Sequence, residues 1–307
     1  MLKEKIINCS AGIITYGITP PKQDNSHEKV EEITKKHLER LKELEIDALV
    51  IYDIQDESER TKDERPFPFI KTLDAEDYST QYLSELNIPK IIYRCVGKYN
   101  EEELTKWINT DTEKDRFSVF VGASSTRQAI SMKLDEAYNL TKNLNSKIVL
   151  GGVTIPERHI KYGDEHIRLN NKIDNGCKFF ISQAIYNIEA SKNFLSDYYY
   201  YFKNNNLKMV PVLLTLTPCG SIKTLEFMKW LGINIPKWLE NDLINSEDIL
   251  QKSVELLKKQ FKELLDFAEE KGIPIGCNIE SVSIRKSEID ASILLVKDIK
   301  DILDKKN

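Results

Sequence analysis

One unit recurs along this chain: a short apolar run, a polar loop and then an amphipathic helical stretch. The apolar runs lie at Ile13–Ile18, Ala48–Ile54, Lys90–Val96, Phe117–Gly122, Lys147–Val153, Lys178–Ile185, Met209–Leu216 and Ile273–Ile279. Helical periodicity falls between or after them, as at His27–Leu44, Glu101–Ile108, Thr126–Leu144, Ile188–Phe202, Ser253–Lys271 and Ser287–Leu303. Strands that alternate with helices form a parallel sheet with right-handed crossovers, so the repeat predicts an α/β fold.

Eight such units favour a (β/α)8 TIM barrel over an open, doubly wound sheet. The open sheet would more often carry a glycine-rich dinucleotide fingerprint after its first strand. Here the first strand runs into Pro20 and Pro21, which forbid an immediate helix. Because no Pro-, Gly- or Ser-rich linker divides the chain, we expect a single barrel domain over residues 1–307.

Charge and cysteine usage argue against several classes of protein. The net charge is -5 and the two signs are interspersed, without the basic stripe that nucleic-acid binding needs. No apolar run reaches the length of a membrane span or of a signal-peptide core. The five cysteines are scattered and form no CxxC, which is typical of reduced thiols. We therefore expect a cytoplasmic protein without nucleic-acid or membrane partners.

Gln183 is the strongest single candidate for a binding residue. It follows the wholly apolar run Phe179–Ile181, so it lies near the carboxyl end of a buried strand, where ligands bind in parallel α/β folds. A primary amide is costly to bury unless something pairs with its donor and acceptor. The alternative is a structural glutamine that is satisfied by neighbouring backbone.

The strand ends as a group are rich in hydroxyls and amides and poor in His and Cys. They are Tyr16, Thr19, Tyr52, Asp53, Gln55, Arg94, Ser124, Ser125, Thr154, Glu157, Gln183, Tyr186, Asn187, Thr215, Thr217 and Asn278, with Glu280 close behind. This composition favours hydrogen-bonded recognition of a polar heterocycle over a metal hydrolase.

Two further features have competing interpretations. Ser124 and Ser125 open a predicted helix, where free backbone N–H groups can hold a phosphate; a plain N-cap is the alternative. His159 and His166 match no standard metal-ligand spacing, and loop histidines are more often solvated. The prediction is therefore that the chain has no metal site.

Several separated motifs, in order, resemble the methylenetetrahydrofolate reductase family of flavin-containing (β/α)8 barrels. Pro20-Pro21 is similar to the proline turn that ends the family's first strand. Lys172-Ile-Asp-Asn-Gly176 followed by Ile181-Ser-Gln183 resembles its Lys-Val-x-Ala-Gly and Ile-Thr-Gln segments. Thr217-Pro218 and Ile233-Asn-Ile-Pro-Lys-Trp238 are similar to its later proline turn and Val-x-Ile-Pro-x-Trp segment.

The resemblance implies a site for a reduced folate and a second site for FAD. It places Gln183 at the pterin edge, with Tyr186 and Thr217 as further substrate-binding residues. The cofactor-binding positions that it implies are Tyr52, Glu165 (in place of an Asp) and Lys172, and the candidate phosphate site at Ser124 and Ser125 is added to them.

The chain also departs from the family pattern. Gly17 stands where the family has the glutamate that protonates the folate nitrogen, and Gly122-Ala-Ser124 replaces an Arg-Gly-Asp beside the flavin. The family's flavin-contacting histidine falls near Ile92. Glu157 or Glu280 could supply the missing acid, and we expect flavin affinity to be weak or absent.

The leading hypothesis is thus a methylenetetrahydrofolate reductase-like oxidoreductase that acts on the one-carbon unit of a reduced folate. The flavin departures make direct use of NAD(P)H a variant of this hypothesis. The alternatives are a pterin-binding methyltransferase and a non-catalytic folate-binding subunit. The chain could function as a homo-oligomer or beside a partner subunit.

Overall fold

A computed structural model describes residues 1–57, 61–110, 115–123 and 129–306 of the chain. Across these residues the strands form one closed barrel in the order β1 to β8. Their bounds are Ile14–Ile18 (β1), Ala48–Ile51 (β2), Lys90–Cys95 (β3), Phe117–Val121 (β4), Val149–Thr154 (β5), Phe179–Ala184 (β6), Val212–Leu216 (β7) and Ile275–Glu280 (β8). All neighbouring pairs are parallel, and β8 closes onto β1. The predicted (β/α)8 barrel is confirmed.

Helices surround the barrel. In the described residues they are α1 (Leu2–Ile7), α2 (His27–Leu41), α3 (Ala75–Gln81), α4 (Glu101–Ile108), α5 (Leu134–Asn143), α6 (Pro156–Tyr162), α7 (Glu165–Asp174), α8 (Ile188–Asn204), α9 (Ile222–Trp230), α10 (Lys237–Ile244), α11 (Ile249–Glu269) and α12 (Lys286–Asp304). Side chains cap several N-termini, as Asp248 does for α11. The sequence analysis placed no helix at α1 or α3.

Alternation along the strands divides the buried residues into two cores. The outer core packs the sheet against the helices and includes Phe180, Leu214 and Cys277. The inner core fills the barrel with Ile13, Ala48, Val50, Ile91, Tyr93, Phe117, Val119, Val149, Phe179, Ile181 and Leu213. Leu2 and Ile6 of α1 pack against this inner set, so α1 closes the N-terminal end of the barrel.

The loop between β2 and α3 reaches the opposite side of the barrel mouth. At its far end the Arg65 guanidinium lies over the rings of Phe227 and Trp230, each 5.2 Å from the ring centroid. The Trp230 indole also donates to the carbonyl of Asp63 at 3.0 Å. Asp63 and Arg65 therefore lie against α9, the helix that follows β7.

The helices and the cysteines bear on two expectations from the composition. No helix in the part of the chain described here is long and apolar enough to cross a membrane. The cysteine side chains are free thiols, and those of Cys95, Cys177, Cys219 and Cys277 are buried.

Candidate active site at the barrel mouth

Gly17 and Glu280 are neighbours at the mouth. They occupy paired positions on β1 and β8, although they come from opposite ends of the chain. A Cβ atom on Gly17 would lie only 2.6 Å from Cε2 of Tyr52 and 2.9 Å from its hydroxyl oxygen. The Tyr52 ring therefore fills the space that a side chain at position 17 would need, and Glu280 brings a carboxyl group to the same place.

A chain of hydrogen bonds holds Tyr52 and Glu280 together. The Asn278 amide nitrogen donates to the Tyr52 hydroxyl at 2.9 Å and to the Thr215 hydroxyl at 3.1 Å. The Asn278 oxygen accepts from the Thr15 hydroxyl at 2.8 Å, so this fully buried amide is fixed from both ends. The Tyr52 hydroxyl lies close enough to the Glu280 carboxyl group for the two to shift each other's pKa. These hydrogen bonds fix Tyr52 beside Glu280 at the mouth.

The environment of Glu280 favours its protonated form. Burial raises the pKa of this carboxyl group, and hydrogen bonds to Tyr52 and Asn278 only partly oppose the rise. Burial and the adjacent Glu280 carboxyl also raise the pKa of the Tyr52 hydroxyl well above its ordinary value. Glu280 can thus hold a proton beside the mouth at a pH where an exposed glutamate would have lost it.

Gln183 lies on the same inward-facing side of the sheet, at the end of β6. Its amide nitrogen donates to the Leu231 carbonyl, just after α9, at 2.9 Å. This bond orients the amide and uses one of its two N–H groups. The Gln183 amide also has a second N–H and a carbonyl oxygen. These two groups are an adjacent donor and acceptor, as the resemblance requires for the pterin edge.

Two other predicted substrate-binding residues lie inside the protein. Tyr186 is fully buried in the outer core, and its hydroxyl donates to the Thr217 carbonyl at 2.7 Å. The Thr217 side chain is also fully buried and accepts from the Val282 N–H at 3.3 Å. Their contact with a ligand stays a prediction, and this geometry does not support it.

Glu157 is a buried acid without an ordinary hydrogen-bond partner among the described residues. The residue is in the first turn of α6 and is 8% exposed. Its oxygens lie near the backbone N–H groups of Glu157 and Tyr186, but neither makes a hydrogen bond of normal geometry to the described residues. Burial raises the pKa of this carboxyl group to about 8. Its role as a replacement for the family acid stays a prediction.

The described residues that the family resemblance assigned to flavin are already engaged within the protein. Glu165 accepts from the Thr154 hydroxyl, the Ile155 N–H and two nitrogens of Arg158 at 2.7–3.0 Å, and it is 1% exposed. The Lys172 ammonium donates to the Val153 carbonyl at 2.5 Å. Ser124 and Ser125 lie outside the described residues. In this arrangement Glu165 and Lys172 do not form a cradle for FAD.

The two histidines were wrongly interpreted as solvated loop residues. His159 lies in α6 and His166 in α7, and they are 6% and 9% exposed. A ring nitrogen of each and a carboxylate oxygen of Asp197 lie within 4.8 Å of one another. These residues are in the helical layer outside β5 and β6, away from the inward-facing mouth residues.

Comparison with known proteins decides the family. The family model for methylenetetrahydrofolate reductase matches residues 140–273. A solved Clostridium thermocellum protein that binds two copies of 5-methyl-5,6,7,8-tetrahydrofolic acid is 60% identical to this chain. That alignment covers 98% of this chain and 100% of the other, with a TM-score of 0.89. This chain belongs to the methylenetetrahydrofolate reductase family.

More distant structures share the fold alone. An F420-dependent secondary alcohol dehydrogenase, solved with an F420–acetone adduct, is 10% identical, with a TM-score of 0.52. The alignment covers 95% of this chain and 99% of that one. No curated protein sequence matches the chain. The roles of the residues at the mouth therefore have to be inferred from their own geometry.

Proposed function

We propose that this chain binds a reduced folate at the barrel mouth and acts on its one-carbon unit as a methylenetetrahydrofolate reductase-like oxidoreductase. The observation that carries the proposal is the pairing of Glu280 with Gly17, which brings an acid with a raised pKa to the position that lacks the family glutamate. Binding of 5-methyl-5,6,7,8-tetrahydrofolic acid by the relative that is 60% identical supports the choice of ligand.

Gln183 and Glu280 are suitably spaced for this ligand. They end β6 and β8, which are separated only by β7. Neighbouring strands lie about 4.8 Å apart, so the two strand ends are separated by roughly 10 Å. That span is comparable with the length of a bicyclic pterin. Gln183 pairs with the pterin edge, and Glu280 faces the nitrogen to which the one-carbon unit is attached.

Glu280 supplies the proton in the proposed reaction. A protonated carboxyl group can donate to a folate nitrogen as the bond from that nitrogen to the one-carbon unit breaks. Hydride then adds to the carbon, so that one proton and one hydride convert a methylene group into a methyl group. Tyr52, fixed by Asn278, holds the acid in place.

The hydride donor in this proposal is NAD(P)H, used directly. Glu165 and Lys172 are held by protein groups, and Gly122 has replaced a family arginine, which removes charge-assisted contacts to a flavin. FAD that survives purification and dialysis at one molecule per chain would show this part of the proposal to be wrong.

Folate binding without hydride transfer is the second candidate function. The Tyr52 ring beside Gly17 favours it, because the ring occupies the space of the family acid and the flavin-assigned residues are engaged elsewhere. Such a protein would be a methyltransferase or a folate-binding subunit of a larger enzyme.

Two measurements on the purified protein test these functions. Calorimetric titration with 5-methyl-5,6,7,8-tetrahydrofolic acid should show saturable binding, and an absence of binding would refute both candidates. NAD(P)H oxidation that depends on 5,10-methylenetetrahydrofolate, without added flavin, would support the reductase. Folate binding without such oxidation would favour the second candidate.

A further inference from the structure

A cluster of metal-ligand side chains lies in the helical layer, where the proposed folate chemistry does not use it. It consists of His159 in α6, His166 in α7 and Asp197 in α8. We propose that these three residues bind one divalent transition-metal ion of the Zn²⁺ class, independently of the folate site. Two imidazoles and a carboxylate are a ligand set that Zn²⁺ accepts.

The distances require only small movements. His159 Nε2 and Asp197 Oδ2 are 2.9 Å apart, and all three ligand atoms lie within 4.8 Å of one another. Tetrahedral Zn²⁺ holds N and O ligands at about 2.0–2.2 Å, which places adjacent ligand atoms roughly 3.4 Å apart. The present spacings lie on both sides of that value, so shifts of about 1 Å complete the site.

His166 supplies an independent observation. It is 9% exposed, and its Nδ1 is buried without a hydrogen-bond partner among the described residues. Its ring meets the ring of His159 edge to face, with the centroids 5.4 Å apart. Leaving such a group unsatisfied costs about 1–3 kcal/mol, and a ligand bound within this cluster would account for a histidine at a buried position.

Metal binding would change one existing contact of His159. At present Nδ1 accepts from the Glu165 N–H at 3.3 Å, while Nε2 faces Asp197. A metal on Nε2 moves the ring proton to Nδ1, so the Glu165 N–H has to turn away. Glu165 opens α7, where a backbone N–H has no partner inside the helix, so this change breaks no hydrogen bond of the helix itself.

The bound metal would act as a structural tie. It would join three successive helices, α6, α7 and α8, which flank β5 and β6. The Asp197 side chain is 55% exposed, so the fourth coordination position faces solvent and accepts water. Metal binding should therefore raise the melting temperature without changing folate affinity, which separates this inference from the proposed function.

Calorimetric titration of EDTA-treated protein with Zn²⁺ tests the proposal. We expect one site per chain and a higher melting temperature in the presence of Zn²⁺. Loss of an outer-shell partner typically weakens metal affinity about 10–100-fold, so Asp197→Asn, which removes a ligand, should cost at least that much. His166→Gln should have the same effect.

His27→Ala is the matched control. His27 and Glu31 form an exposed pair on α2, with 3.3 Å between the ring nitrogen and the carboxylate, and could bind Zn²⁺ adventitiously. Zn²⁺ affinity should be unchanged in this variant. The proposal is overturned if the native protein binds no Zn²⁺, or if Asp197→Asn binds as tightly as the native protein. Because Asp197 is exposed, that variant decides the matter even if His166→Gln does not fold.

Discussion

The two ends of the barrel are built from the same strands but have opposite composition. At the N-terminal end the inward residues are apolar or glycine: Ile13, Ala48, Ile91, Phe117, Val149, Phe179, Leu213 and Gly276, closed by Leu2 and Ile6. At the mouth, Tyr52, Gln183, Asn278 and Glu280 bring polar groups into the interior. One end therefore provides stability, and the other provides the polar groups from which a ligand site can be made.

The largest effect should follow from damage to the apolar end. Phe179 is fully buried, and a Cβ atom on Gly151 would lie 2.5 Å from its ring, so the ring fills the barrel interior. Phe179→Ala should lower the free energy of unfolding by about 3–5 kcal/mol. Chemical denaturation measures this loss. Folate affinity of the folded fraction should stay the same, and a parallel loss of affinity would break the division between the two ends.

At the polar end, Glu280→Gln should affect the reaction rather than the fold. The amide keeps the size of the side chain but cannot act as an acid, and general acid catalysis contributes about 10²–10⁴-fold to a rate. Turnover should fall by that factor with little change in folate affinity.

Glu288→Gln is the matched control for Glu280. Glu288 is a fully buried glutamate that accepts from the Gly220 N–H and the Thr224 hydroxyl, away from the mouth residues. This variant should lose stability and keep its turnover. Equal losses of turnover in both variants would contradict the role given to Glu280.

A pH-dependent effect concerns Glu157, a buried acid outside the proposed chemistry. Its pKa is about 8 in the folded protein, against an ordinary value of 4.5. Between these values the folded state keeps a proton that the unfolded state has lost. Its contribution to stability is therefore complete below pH 4.5 and is lost as the pH rises toward 8, at up to about 1.4 kcal/mol per pH unit.

Glu157→Gln removes this pH dependence, because the amide is neutral throughout the range. Denaturant unfolding at several pH values between 5 and 8 should show a flatter profile for the variant than for the native protein. Identical profiles would mean that Glu157 ionises normally in the folded state.

Hydrophobic periodicity was sufficient to predict the barrel, but not the direction of each side chain at the strand ends. Tyr16 faces outward to Ser292 of α12, and Arg94 faces outward to Asp74. Thr154 similarly donates to Glu165. A shift of one residue in register reverses every side chain of a strand, and sequence patterns do not locate strand ends that finely. Grouping all the polar strand-end residues into one candidate site was therefore wrong for Tyr16, Arg94 and Thr154.

The pairing of Gly17 with Glu280 could not be predicted for a different reason. The two residues come from the first and last strands, and only closure of the barrel makes them neighbours. The sequence showed that Gly17 replaces the family glutamate and that Glu280 lies near a strand end. It did not show that these two positions are adjacent. The Tyr52 ring over Gly17 and the bond from Gln183 to Leu231 depend on tertiary packing that no local pattern encodes.

The central claim is that Gln183 contacts the folate. Gln183→Leu should weaken binding of 5-methyl-5,6,7,8-tetrahydrofolic acid about ten- to a hundredfold, because an unpaired buried polar group costs about 1–3 kcal/mol. Its stability should fall only by the net value of one hydrogen bond to Leu231, about 0.5–1.5 kcal/mol.

Calorimetric titration of this variant beside Gln260→Leu tests the claim most directly. Gln260 likewise donates to a backbone carbonyl, that of Tyr186 at 3.0 Å, but it is buried in α11. Gln260→Leu should therefore lose stability and keep native folate affinity. We predict weakened folate binding in Gln183→Leu alone. Native affinity in Gln183→Leu, or an equal loss in both variants, would contradict a folate site at the barrel mouth.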